Sequence, residues 1–327
     1  MKKGCFALAG VLVVWVLFSS TAVAWGPATH AYIDDQLNHK LSLLKLNQRY
    51  GSMTPDVFNF VFESPYPEMA LATHCESLRV WNAARWTQTQ KALAFGFVSH
   101  NIVWGADFTA HHPGCLPDPH PTEGYAVTKA GELKSAIEVS EVGGSYYLLH
   151  KILVDAIGEP EAEVLESELL QDLVEYGVDI LMKRSDPTIG QKVTAAALLR
   201  SPELPALLVR AYAADFAAKG YFPNYWQAAA AIASAEMQFR QTIIAYGQAL
   251  TQDEATAVQL IAEQVAQFAV SLLAAQGVTL PPGTDLRALV TFAIQKSVEL
   301  CESDYADEMT ETVGFVRQQL KTNGVWY

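Results

Sequence analysis

Apolar residues recur three and four apart over residues 165–182, 225–250, 255–276 and 286–300, a period that predicts four long amphipathic helices. Alternation of apolar and polar positions is not sustained over several strands, and Ala, Leu, Glu and Gln, all good helix formers, dominate the chain. Breaks are expected at Gly158-Glu159-Pro160, Ser185-Asp186-Pro187, Ser201-Pro202 through Pro205, Phe222-Pro223 and Pro281-Pro282-Gly283. Thr251-Gln252-Asp253-Glu254 reads as a capping box opening the third helix. The fold class is all-α, with no repeat of fixed period.

The first residues break this pattern. Lys2-Lys3, an apolar run from about Gly4 to Phe18 and the small-x-small site Ala22-Val23-Ala24 form the three-part layout of a secretory leader. The run is shorter than the roughly 20 residues of a spanning helix, so residues 1–24 are expected to be cleaved and the mature protein to be secreted or periplasmic. Loss of Lys2 and Lys3 takes the net charge from −13 to about −15. So acidic a chain is a poor general binder of nucleic acid, whose affinity rests on neutralised phosphates. Cys5 leaves with the leader. Cys75, Cys115 and Cys301 are too few for a disulfide framework, and a single Cys75–Cys115 bridge is expected in an oxidising compartment.

Metal-binding side chains are unevenly spread. The eight histidines are His30, His39, His74, His100, His111, His112, His120 and His150, so none lies beyond position 150. The front of the chain, residues 25–185, therefore carries the expected site, and residues 186–327 are expected to be a helical scaffold or binding surface, either as a region of its own or as part of the same domain. Cleavage after Ala24 would make Trp25 the first residue, with its α-amine, its carbonyl oxygen and the His30 imidazole available to one divalent ion. If residues 92–112 form one helix, His100, Asp107 and His111 fall within about 20° of a single line. Such a row of imidazole, carboxylate and imidazole suits a pair of ions bridged by the acid. Asp56 follows a turn fixed by Pro55. His39 and His120 are expected at the surface, with His112 beside the ligand row.

Trp25, His30, Asp56, His74, His100, Asp107 and His111, in this order, resemble the zinc-dependent phospholipase C family, whose fold includes the single-strand-specific nucleases of fungi and plants. The resemblance covers roughly residues 25–180. It implies a multi-helix bundle around as many as three Zn2+ ions. Trp25, His30 and Asp107 would hold one; Asp56, His74, His100 and the shared Asp107 a second; His111 would begin a third. Two departures stand out. The family places its acid four residues after the helix histidine, where this chain has a step of seven from His100 to Asp107. The family closes the third site with a histidine and an acid four residues on. Here Asp155 follows His150 by five, and the step from Gln171 to Glu175 is right but lacks the histidine. The expected third set is His111, His150 and Glu175, with Asp155 as the alternative.

The resemblance implies a phosphodiesterase using metal-activated water oriented by Asp56. Its expected substrate is phospholipid, split to diacylglycerol and a phosphorylated head group with transient membrane-surface contact. Trp104, Phe108, Tyr146 and Tyr147 could line an acyl or base site or belong to the core. The alternatives are a single-strand nuclease or nucleotidase on the same fold, and a non-catalytic, zinc-stabilised helical binding protein.

Overall fold

Residues 165–182, 225–250, 255–275 and 286–300 of the four apolar periods each lie within a helix. The computed structural model describes residues 25–38, 42–59, 61, 65–112, 123–275, 278–281 and 284–326. Among them are fifteen α-helices, one 3-10 turn and no strand. The front helices are α1 (Pro27–Leu37), α2 (Ser42–Met53), the 3-10 turn Thr54–Phe58, α3 (Tyr66–Cys75), α4 (Leu78–Ala83), α5 (Gln88–His100), α6 (Ala106–His111), α7 (Tyr125–Glu138) and α8 (Gly143–Ile157). The later ones are α9 (Glu159–Ser185), α10 (Ile189–Leu199), α11 (Glu203–Ala218), α12 (Tyr225–Leu250), α13 (Glu254–Ala275), α14 (Leu286–Cys301) and α15 (Tyr305–Thr322). The expected leader, His39, Cys115 and His120 lie outside the described residues. No described helix is long and apolar enough to cross a membrane.

The breaks act as helix boundaries. Pro160 sits in the first turn of α9, where its missing N–H costs nothing. α13 starts two residues later than the capping-box reading placed it. Asp253 is the cap, accepting from Thr256 N at 3.0 Å and Thr256 Oγ1 at 2.7 Å. A carboxylate next to the first turn displaces the Thr251 hydroxyl, which instead donates to the Gln248 carbonyl.

A larger correction concerns residues 92–112, which are not one helix. α5 ends at His100, and the backbone of Asn101 leaves the helical region (φ −26°, ψ 151°). The Asn101 side chain accepts from the N–H groups of Val103 and Trp104 and donates to the Val98 carbonyl. Asparagine readily makes such local turns, and here the turn wins over helix propensity. The chain restarts as α6, so the seven-residue step is absorbed by a bend instead of two helical turns.

One cluster of buried apolar side chains runs from Trp25 to Val325 and includes residues from both the front region and residues 186–327. Within it α2 and α5 cross with their backbones in contact. A Cβ on Gly96 would lie 1.9 Å from the Gln48 carbonyl oxygen, and one on Gly51 would lie 2.1 Å from that of Leu93. This crossing brings the end of α5, and with it His100, against the end of α2. The 27-residue α9 packs against α1, α7 and α14 and buries nearly every position from Leu170 to Met182. Cys75 is disulfide-bonded and Cys301 is a buried free thiol.

Candidate metal centre

Five side chains from five elements converge: His30 of α1, Asp56 of the 3-10 turn, His74 of α3, His100 of α5 and Asp107 of α6. All are buried, and Asp56, at 6%, is the most exposed. Two of the imidazoles are anchored from behind by backbone. His74 Nδ1 lies 2.8 Å from the Ala70 carbonyl oxygen and His100 Nδ1 lies 2.7 Å from that of Ser52. Each carbonyl fixes the hydrogen on Nδ1 and turns Nε2 toward the carboxylates.

Asp56 Oδ1, His74 Nε2, His100 Nε2 and Asp107 Oδ2 outline a tetrahedron. Five separations among these atoms are 3.2 Å (Asp56–His74), 3.6 Å (Asp56–His100), 3.2 Å (His74–His100), 3.7 Å (His74–Asp107) and 2.9 Å (His100–Asp107). A four-coordinate ion bound at about 2.0–2.1 Å sets its ligand atoms about 3.3 Å apart. The donor set fits such an ion. The other Asp107 oxygen, Oδ1, lies 3.3 Å from His30 Nε2. Neither Asp107 oxygen nor His30 Nε2 is aligned for a hydrogen bond to any described residue, although all three are buried. Buried polar atoms that approach without bonding are what a site shaped for a cation presents.

His100 belongs geometrically to two three-donor groups, one with His30 and Asp107, the other with Asp56 and His74. Its Nδ1 is committed to Ser52, so Nε2 can serve one ion only. The two faces of Asp107 divide the donors: Oδ2 joins His74, His100 and Asp56, and Oδ1 joins His30. The His30 group then holds two side-chain donors and needs more. Trp25 is fully buried, and its Nε1 donates to Thr109 Oγ1 at 3.2 Å on the helix that carries Asp107.

Charge within the cluster is divided unequally. Burial pushes His30 down to about 4, helped by the neighbouring His100, whose ring stacks on it at 4.0 Å. Burial also opposes charge on His100, but the Asp107 and Asp56 carboxylates outweigh it and hold its pKa up at about 9. Burial would raise Asp107, but His100 overrides it and keeps the acid well below the usual carboxylate range.

A second cluster lies on α9. His111 Nε2 is 3.1 Å from Glu175 Oε1, and His111 Nδ1 is 2.8 Å from Gln171 Oε1. The Gln171 amide nitrogen donates to Ser167 O and Oγ, which fixes its orientation. Gln171 thus orients His111 and leaves Nε2 to face the Glu175 carboxylate. Burial, reinforced by Asp172, Asp107 and Asp56, lifts Glu175 well above the ordinary range.

His150 does not join His111 and Glu175. Its Nδ1 lies 2.8 Å from Glu166, which also accepts from Tyr146 Oη. Glu166 precedes Glu175 by nine residues on α9, about 13.5 Å along the axis. The alternative, Asp155, is exposed and paired with Lys151. His112 caps α6 in the left-handed region (φ 53°) and packs on Phe108. Phe108 stacks on Phe315, Trp104 packs on the core and Tyr146 is buried, leaving Tyr147 exposed among the four expected aromatics.

Asp179 was not anticipated from the sequence. This buried acid of α9 accepts from Ala28 N (2.9 Å), Thr29 N (2.7 Å), Thr29 Oγ1 (2.6 Å) and Tyr246 Oη (2.7 Å). Burial pushes it up to about 6 against the pull of these bonds. Its partners are more than sixty residues away in sequence, so no local motif announces it. No protein-family model matches this chain, and comparison with curated proteins and with solved structures returns no match.

Proposed function

We propose that the chain is a secreted or periplasmic zinc-dependent phosphoric diester hydrolase of the phospholipase C type, splitting phospholipid into diacylglycerol and a phosphorylated head group. The observation that carries this reading is the near-tetrahedral set Asp56, His74, His100 and Asp107, with the far oxygen of Asp107 turned to His30. Two imidazoles and two carboxylates are a hard-to-borderline donor set that suits zinc. The order of these residues along the chain supports the phospholipase C resemblance, as does Trp25, bonded to the helix that carries Asp107.

Zinc held by His30 and Asp107, whose side chains leave coordination positions open, would supply water of lowered pKa, and together with an ion on the four-donor set it would supply charge to offset the phosphate oxygens in an in-line displacement. The protein's own residues supply the rest. The Ser52 and Ala70 carbonyls hold the His100 and His74 rings in place. Asn59 Nδ2 donates to Asp56 Oδ1 at 2.9 Å and fixes that carboxylate at the most accessible edge of the cluster. Asp56 is therefore the acid placed to orient incoming water. With His150 elsewhere, the described members of the expected third set that meet are His111 and Glu175, and two ions on the other groups are the expected complement. A lipid substrate brings transient membrane-surface contact, and the acidic chain disfavours nucleic acid as a stable partner.

The test uses mature chain beginning at Trp25, loaded with zinc, on short-chain phosphatidylcholine and on single-stranded DNA. Phosphatidylcholine should be turned over, and Asp56→Asn should cut that rate by about 10²–10⁴-fold with the helical spectrum retained. Faster cleavage of DNA would move the assignment to the nuclease branch. Zinc binding without turnover of either substrate would leave a zinc-stabilised binding protein.

A further inference from the structure

Three helices around Asp107 are joined in a closed ring. His30 of α1 meets Asp107 of α6 at 3.3 Å. One turn further along α6, His111 meets Glu175 of α9 at 3.1 Å. One turn further along α9, Asp179 returns to the start of α1, binding Ala28 and Thr29 immediately before His30. The steps from Asp107 to His111 and from Glu175 to Asp179 are both four residues, so each pair lies on one helix face.

We propose that Asp179 is a positioning residue for the metal centre: it seats the first turn of α1 and thereby sets His30 against Asp107. This rests on the metal-centre reading above. α1 has no side-chain cap of its own, since Gly26 stands at the N-cap. Its free N–H groups are satisfied from another helix by a carboxylate whose charge also complements the helix dipole. A local Ser or Asp at position 26 would cap the helix without burying a distant acid. Gly26 instead lets α9 approach. A Cβ there would lie 2.5 Å from Asp179 Oδ2. Local capping would end the helix equally well, but it would not fix α1 relative to α9. The backbone N–H of His30 bonds the Gly26 carbonyl at 3.0 Å, so the seated turn leads directly into the ligand.

The test is zinc binding by the mature chain, measured by chelator competition at one temperature with folding checked by circular dichroism. Wild type should hold two ions. Asp179→Asn should keep the ion on Asp56, His74 and His100 and weaken the one on His30 and Asp107 by about 10–100-fold, the range for groups that orient ligands. Thr29→Val, which removes the 2.6 Å hydroxyl bond, should weaken the same ion, and Thr29→Ser should restore it. A purely structural Asp179 would lower thermal stability while leaving both affinities of the folded protein unchanged. Wild-type affinities in folded Asp179→Asn overturn the proposal. If that variant does not fold, equal affinities for Thr29→Val and Thr29→Ser overturn it. A wild-type chain that binds no ion removes the metal-centre reading, and this proposal with it.

Discussion

His100 carries the sharpest conflict of any single residue. It is fully buried, yet Asp107 and Asp56 keep it protonated up to about pH 9 in the metal-free protein. An ion needs the Nε2 lone pair, so binding must displace that proton. Zinc uptake at pH 7 should therefore release about one proton from His100. Affinity should rise about tenfold per pH unit toward pH 9 and then level off. His30, pushed down to about 4, contributes no proton in this range. Calorimetry in two buffers of different ionisation enthalpy measures the release, and none at pH 7 would contradict the charge assignment. The same shift bears on stability without metal. The folded pKa lies above the ordinary histidine value of 6.5, so His100 stabilises fully below about pH 6.5 and loses that contribution as pH rises through 9. At this scale the sequence was informative about donors. His30, Asp56, His74, His100 and Asp107 could be named because their chemistry is rare and ordered. The groups that aim them could not. Ser52 and Ala70 act through backbone carbonyls, which any residue has, and Asp179 and Gln171 act through partners supplied by tertiary packing.

The helices show how a correct set of residues can come with an incorrect local geometry. The expected 92–112 helix put His100, Asp107 and His111 on one face, but His100 and Asp107 meet because the chain bends at Asn101, and His111 faces Glu175 instead. Helical period cannot reveal a turn made by one asparagine side chain inside an otherwise helical composition. The apolar periods of α9, α12, α13 and α14 were legible because each sustains one buried stripe for four turns or more. The α2–α5 crossing was not, since its glycines at 51 and 96 acquire meaning only when two backbones touch. That crossing allows a specific expectation. Gly96→Ala places a Cβ 1.9 Å from the Gln48 carbonyl, which can move only by separating the helices. It should cost about 1–3 kcal/mol or more in denaturant unfolding. It should also loosen the His100–Ser52 contact, lowering affinity for the ion held by His100 in the folded fraction. Unchanged stability would mean that the crossing relaxes freely and does not set the ligand.

At the scale of the whole molecule, the region beyond residue 185 supplies no imidazole yet supports the centre throughout. Tyr246 of α12 donates to Asp179, and Glu236 of the same helix accepts from Tyr50 of α2 while pairing with Arg200. Thr312 of α15 donates to Thr109, the hydroxyl that also accepts from Trp25, and Arg317 donates to the Gln36 carbonyl at the end of α1. The sequence allowed either scaffold or binding surface here. Apolar period says which face of a helix is buried, but it does not say which helix that face meets. These contacts lead to the expectation that residues 25–185 do not fold alone. Removing the rest would expose Tyr50, Phe58 and Phe97, which are packed against Phe239, Phe216 and Tyr212 of α11 and α12. It would also leave the buried Asp179 without its Tyr246 donor. Each aromatic pair is worth about 0.5–1.5 kcal/mol beyond the area it buries, and exposing each core ring forfeits up to about 1.5–3 kcal/mol more, against a typical total stability of about 5–15 kcal/mol. A fragment of residues 25–185 should therefore show no cooperative heat-absorption peak by calorimetry and should lose the two-ion stoichiometry, whereas a fragment that melts cooperatively with both ions bound would make the later helices an appendage.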